Sequence, residues 1–375
     1  MTKWIKFNQL SAGKSTLNDR KSLEEQEVCV ASALLHDPLD SERIYAMDKL
    51  LLAICVLELL ISTCSYLLIV SSMLRKVRSH IELYDRIDAL DRELMRDFGA
   101  NLNYHKLLLK NLIEMIALLL TYWTAVYRTV AYAAPTRKAY AYAAAMFYLA
   151  CTFGPHSICF LHSNLAQIIY VRFRLIQKLL DANYLRTHFP QPQLCAARLQ
   201  NLVDMVLAFH NVIDSINGVY RTSLMVGLTH DFTLASTALY LLFGHSLGGS
   251  IDSQLFVCIA IWLLLPLHKI FSAPVHCDST IEEGKRCLRL IEQIDVWFPN
   301  FKSVKLIVNT TMHWRLENKI EFACGLNMIY NRAIIATITT VIFNYLLILI
   351  QFRMTQIMGE QIEEQKNILH GWIYD

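Results

Sequence analysis

Six stretches of the chain are predominantly apolar for about 20 positions, the length an α-helix needs to cross the hydrocarbon of a bilayer. They cover 50–73, 112–134, 140–171, 224–245, 255–271 and 333–352. An unpaired backbone group has no water to bond inside lipid, so each stretch is predicted to be a helix. Outside these runs the apolar residues thin to a helical period. Ile81, Tyr84, Ile87, Leu90 and Leu94 share one face, as do Leu199, Leu202, Val203, Val206, Phe209, Val212, Ile213 and Ile216. Segments 288–294 and 307–320 continue the pattern less cleanly. Such faces bury against one another. The prediction is therefore an all-α polytopic membrane protein with six visible transmembrane helices, whose helical extensions pack into a bundle below the membrane. The most loop-like break lies in 187–193, around Pro190 and Pro192.

Charge orients the spans. Lys and Arg number seven between Arg75 and Lys106, six between Arg172 and Arg221, and eight between Lys285 and Arg332. These three stretches follow alternate spans and so share one side, which the positive-inside rule makes cytoplasmic. The opposite side has short links, two cations in 135–138 and none in 246–254, and the tail after Phe352 holds more acids than cations. That tail is expected outside the cell. Segment 1–46 is polar, has no apolar core of a signal peptide, and carries Lys3, Lys6, Lys14, Arg20, Lys21 and Arg43. Those cations favour the inside, whereas six spans place the segment outside. A first helix not visible in this sequence would resolve the conflict, as would compensation by the seven acids from Asp19 to Glu42.

Composition agrees. Of 375 residues 54% are hydrophobic and 18% charged, against about a quarter charged in soluble domains, and mean hydropathy is +0.33. The net charge of +3 does not point to nucleic acid. None of the ten cysteines forms a Cys-x-x-Cys pair. Cys55, Cys64, Cys151, Cys159 and Cys258 sit in apolar runs, where cysteine acts as a small hydrophobe. No phosphate loop, nucleophile elbow or zinc-protease motif is present. No enzyme activity, cofactor or metal is expected.

The last span carries the strongest pattern. Thr337, Thr340, Asn344 and Gln351 follow steps of three, four and seven, one helical stripe, with Leu347 or Ile348 filling the gap. Amides are costly in hydrocarbon, so the stripe must face protein or water. It either lines a wet lumen, with Leu347 and Ile348 as a constriction, or bonds to other helices of the same bundle. Aromatic residues gather toward one end of spans two to five. Trp123, Tyr127, Tyr148, Tyr240 and Trp262, with His156 after Gly154-Pro155, are candidates to line a pocket for a small organic molecule. Interface anchoring is the competing explanation for such rings. Few carboxylates accompany them, which favours an apolar compound. Asp231, beside His230 in span four, either carries function or makes a helix contact.

Tyr345, five aliphatic residues and then Gln351-Phe352 resemble the terminal motif of insect gustatory receptors, with Asn344 where that family usually has Thr. Phe322-Ala323-Cys324-Gly325-Leu326 and Asp97-Phe98-Gly99-Ala100-Asn101-Leu102-Asn103-Tyr104 resemble two further family segments, in the same order along 48–352. The resemblance implies a seven-helix chemoreceptor, a non-selective cation channel opened by a small-molecule tastant. It implies a homo- or hetero-tetramer in the plasma membrane of a sensory neuron dendrite. Gln351 and Phe352 would then sit at the gate with Tyr345 packed behind it. Under this reading 1–46 is a polar N-terminal segment, 47–274 the membrane bundle with the ligand pocket, 275–332 the anchor helices, 333–352 the pore helix and 353–375 the extracellular tail. A G-protein-coupled type of receptor is the alternative, with a transporter behind it. The first needs the opposite topology, and the second favours internal repeats that this chain lacks.

Overall fold

The computed structural model describes residues 49–99, 104–132, 138–247, 253–326 and 328–374. Segment 1–46, and with it the question of a first helix, lies outside them. Among the described residues the chain is helical apart from short connections and one small hairpin. The helices are α1 (Lys49–Arg75), α2 (Val77–Phe98), α3 (Tyr104–Tyr132), α4 (Lys138–Leu179), α5 (Ala182–His188), α6 (Pro192–Leu247), α7 (Ser253–Trp297), α8 (Lys302–Glu317) and α9 (Arg332–Tyr374). Strands β1 (Ala323–Cys324) and β2 (Met328–Ile329) pair antiparallel between α8 and α9.

Among the described residues, five helices contain a stretch long and apolar enough to cross a membrane: Val56–Arg75, Tyr104–Ala131, Tyr142–Leu179, Phe256–Trp297 and Arg332–Phe352. The expected span 224–245 is helical within α6 but is not among the five. Its polar residues explain the difference, because His230 and Asp231 are buried inside the bundle. Helix α6 is central, packed against α1, α2, α4, α7, α8 and α9. A helix lined by protein needs less hydropathy than one facing lipid.

The anticipated extensions are real. α4, α6 and α7 run 42, 56 and 45 residues without interruption, and Pro155, Pro266 and Pro274 lie inside helices without ending them. α6 begins on Pro192, where a missing N–H removes no helical bond. Its face from Leu199 to Ile216 is buried as the periodicity predicts, together with Phe173 and Ile176 of α4, Leu288, Ile291 and Ile294 of α7, and Val304 and Val308 of α8. His210 of this face lies between the rings of Phe173 and Trp314, with centroids 5.2 and 5.4 Å away, and burial holds its imidazole down to about 3.

On α2 the buried face differs from the expected one. Leu83, Ile87, Asp91 and Leu94 point inward, while Ile81 and Tyr84 are exposed. The cause is a charge that periodicity counts as polar. Asp91 accepts from Arg172 of α4 at 2.9 Å (Nε) and 2.6 Å (Nη2), and from the Tyr104 hydroxyl at 2.9 Å. Both charged side chains are only 3% exposed, and a bidentate geometry of this kind is what makes such burial tolerable. α2 stops at Gly99, whose left-handed φ of 60° lets its N–H reach the carbonyls of Leu94 and Met95. The hairpin turns on Gly325, with φ 65°. A side chain there would also strike the Met225 thioether of α6.

Candidate functional site

Two assemblies hold most of the expected site residues, an interior cluster between α1, α3, α4, α6 and α7 and the outward face of α9. In the cluster, Tyr122, Trp262, Cys258, Ala125 and Leu265 form a buried core, with Tyr148 and Phe153 packed against it. The Trp262 ring meets Tyr148 edge-on at 4.9 Å and Tyr122 at 6.4 Å, the spacing of favourable aromatic pairs. Its indole N–H donates to Thr129 Oγ1 at 3.1 Å. The Tyr122 hydroxyl meets His156 Nδ1 at 3.1 Å, and the His156 ring stacks on His268 at 5.5 Å.

A second layer is a continuous polar chain. The Tyr148 hydroxyl donates to Glu58 Oε1 at 2.7 Å, and the Ser62 hydroxyl lies 2.9 Å from the same oxygen and 3.0 Å from His230 Nε2. His230 Nδ1 is 3.2 Å from Asp231, which forms a buried ion pair with Lys269. Four helices, α4, α1, α6 and α7, are thus tied by side chains within the membrane segments. A small cavity of about 10 Å³ opens among Glu114, His156, Cys159, Phe160, Ser163, His268, Lys269, Ser272 and Ala273, on the order of one water molecule. His156 Nε2 lines it with no hydrogen-bond partner among the described residues. This edge offers a donor to whatever enters in the tautomer whose Nδ1 accepts from Tyr122, and an acceptor in the other. Among the described residues no group of His, Cys, Asp and Glu has the geometry of a metal site.

The structure sorts the pocket candidates. Tyr148, His156 and Trp262 converge. Trp123 and Tyr127 do not, being 54% and 69% exposed on the outer face of α3; helical phase turns them away, since Tyr122, Ala125 and Thr129 hold the inner side. Tyr240 is buried elsewhere, against Leu349 with Tyr345 and Leu346 beside it. Glu58, Ser62, Tyr122 and Lys269 are members that the aromatic pattern did not select. Glu58 and Lys269 were detectable as ionisable residues inside predicted spans, but nothing in the sequence named their partners.

On α9, Ile334, Ile338, Ile342 and Leu349 are buried on one side. Tyr345 is half-buried, its ring 5.9 Å from Phe232 of α6. Thr337, Thr340, Asn344, Leu347, Ile348, Gln351 and Phe352 are all exposed. The hydroxyls of Thr337 and Thr340 donate to the carbonyls of Ala333 and Ala336 in their own helix, at 3.2 and 2.9 Å. The polar stripe is not used to hold the protomer together.

Fold and side-chain arrangement together define an all-helical, multi-pass membrane protein with a buried aromatic cluster and an exposed polar face on its last helix. Residues 29–356 match the family described as 7tm chemosensory receptor. The chain is 40% identical over 350 residues to putative gustatory receptor 57a of Drosophila melanogaster, covering 91% of this chain and 84% of that one. It is 22% identical over 339 residues to gustatory and pheromone receptor 32a of the same fly, covering 82% and 70%. Its fold is similar to that of the insect olfactory receptor OR5 from Machilis hrabei, with TM-score 0.58, 12% identity, and 90% and 99% of the two chains covered. The chain belongs to the chemosensory receptor family, as a gustatory receptor of the insect type.

Proposed function

We propose that this receptor is a subunit of a ligand-gated, non-selective cation channel, in which α9 of four copies, identical or related, surrounds a central lumen. The observation that carries the reading is the exposed stripe Thr337, Thr340, Asn344 and Gln351. A single protomer in lipid would present two amides to hydrocarbon, whereas a shared aqueous lumen hydrates them. Leu347 or Ile348 narrows the path, and Gln351 and Phe352 form its outer gate. Tyr345 links the gate to α6 through Phe232. The protein resides in the plasma membrane, in the dendrite of a sensory neuron, with α9 ending outside the cell.

The ligand is a small organic tastant bound between α1, α3, α4 and α7. Tyr148, Tyr122 and Trp262 supply flat apolar surface, and Glu58 and His156 supply the polar contacts that orient it. Glu58 shifts the expectation from a purely apolar compound to one with an aromatic or aliphatic body and a polar group.

Gln351→Ala and Asn344→Leu are expected to change relative cation permeability or single-channel conductance while surface expression stays at the parent level. The measurement is ligand-evoked current from the chain expressed alone and with related subunits. Unaltered permeation in both variants, at preserved ligand response, would return the stripe to a packing role.

A further inference from the structure

Polar residues recur on the facing sides of three helices. On α7, His268, Ser272 and His276 follow steps of four. On α4, His156, Ser163 and Gln167 follow steps of seven and four, and on α3 Lys110 and Glu114 are four apart. Each set forms one helical stripe, and the stripes meet in one cleft. The Lys110 ammonium donates to Gln167 Oε1 at 2.6 Å. Deeper in, Glu114, His156, Ser163, His268 and Ser272 line the cavity of about 10 Å³. Two atoms on the α4 stripe, Nε2 of His156 and Nε2 of Gln167, have no hydrogen-bond partner among the described residues. Their side chains are 2% and 6% exposed. Buried polar atoms of this kind are costly unless water reaches them, and a polar cavity of this volume has room for one molecule. The two residues lie about 16 Å apart along α4. Lys110, Gln167 and His276 stand near the ends of the apolar runs 112–134, 140–171 and 255–271. The cleft thus runs inward to His156 from one membrane border, on the side that the positive-inside rule makes cytoplasmic.

His268 is the titratable group in its wall. The His268 side chain is 40% exposed, with Nε2 3.9 Å from Glu114 Oε1 of α3, too far for a hydrogen bond. Its ring stacks on His156 of α4 at 5.5 Å and 18°, and the Cys159 thiol of α4 shares the cavity. Lys269, its neighbour on α7, is bound to Asp231 of α6. Lys110 of α3 is engaged by Gln167, and His276 lies two turns further along α7. We infer that α3, α4 and α7 enclose a hydrated crevice open to the cytoplasm, in which His268 takes up a proton and exchanges its stack on His156 for an ion pair with Glu114. The carboxylate that favours the charged imidazole lies within a short side-chain rotation of it. His156 meets the Tyr122 hydroxyl at 3.1 Å through its Nδ1, so acid on the cytoplasmic side reaches the aromatic cluster through a single contact.

Two measurements on the full chain in membranes test this. A membrane-impermeant methanethiosulfonate applied to the cytoplasmic face of inverted vesicles is expected to label Ser272→Cys at least about fivefold above the parent chain, because thiolate forms where water reaches. Leu264→Cys, at a position 58% exposed one turn before His268 on the same helix, is expected to stay at the parent level in lipid. Labelling of Ser272→Cys from the outer face of intact cells alone, or from neither face, would overturn the crevice. Diethyl pyrocarbonate, which attacks the unprotonated imidazole, reads His268 itself through peptide mass spectrometry between about pH 5 and 8. Modification of His268 is expected to fall with acid, and its midpoint to drop by at least about half a pH unit in Glu114→Gln, which cannot form the pair. A midpoint unmoved in that variant, or no modification at any pH, would overturn the proton-driven exchange.

Discussion

A carboxylate at bilayer depth is costly unless it meets water, a cation or several donors. Glu58 has donors from Ser62 and Tyr148, and no cation within ion-pairing distance among the described residues. Its carboxyl is therefore available to a ligand in a way that Asp231, paired with Lys269, is not. Glu58→Gln keeps the shape and one acceptor but replaces the other carboxyl oxygen with an amide donor. It is expected to lower apparent affinity about twofold to tenfold for ligands that donate to the carboxyl group, given about 0.5–1.5 kcal/mol net for a hydrogen bond, with surface expression unchanged. Dose–response curves of ligand-evoked current measure this, and an unmoved midpoint across responsive compounds would exclude Glu58 from the pocket.

Helices were legible because their signal is local: an apolar run, or a face repeating every three to four residues, needs no knowledge of the rest of the chain. The long buried face of α6 emerged that way. Pairings were not legible, because they join positions far apart in sequence. Asp91 to Arg172 spans 81 residues and Ser62 to His230 spans 168. The α2 face was misread for the same reason, since Asp91 counts as a solvent residue until Arg172 is known. Trp123 and Tyr127 were grouped with the pocket by residue type, and helical phase separated them. Element-level stability also has a pH signature. The His210 pKa, lowered by burial, means the unfolded chain binds a proton that the folded α6–α8 contact refuses. Stability from this site is full above the ordinary histidine range near 6.5 and is lost as pH falls toward about 3. Thermal melts of the solubilised protein should fall in midpoint from pH 7.5 to 5.5, and His210→Leu should flatten that fall. An unchanged pH slope in the variant would assign the effect to other groups.

Across the whole molecule, α6 is the shared partner, packed against α1, α4 and α7 and also against α9. The polar chain from Tyr148 to Lys269 ends on α6 and α7, and Phe232 and Tyr240 of α6 pack against Tyr345 and Leu349 of α9. Lys269→Met alone leaves Asp231 as a buried unpaired charge and is expected to cost about 3–5 kcal/mol. Adding Asp231→Asn should restore most of it. Fluorescence-detected size exclusion after graded heating compares the two, and a double variant no better than the single would show that the pair is not coupled.

The Asp231–Lys269 pair also imposes an order on biogenesis. During synthesis α6 reaches the membrane carrying Asp231 before the lysine on α7 has been made. A lone aspartate near a helix centre opposes insertion by about 2.5–3.5 kcal/mol. The seat of α6 in the bilayer is thus provisional until α7 arrives, and nascent chains halted between the two should be held by membrane chaperones or degraded.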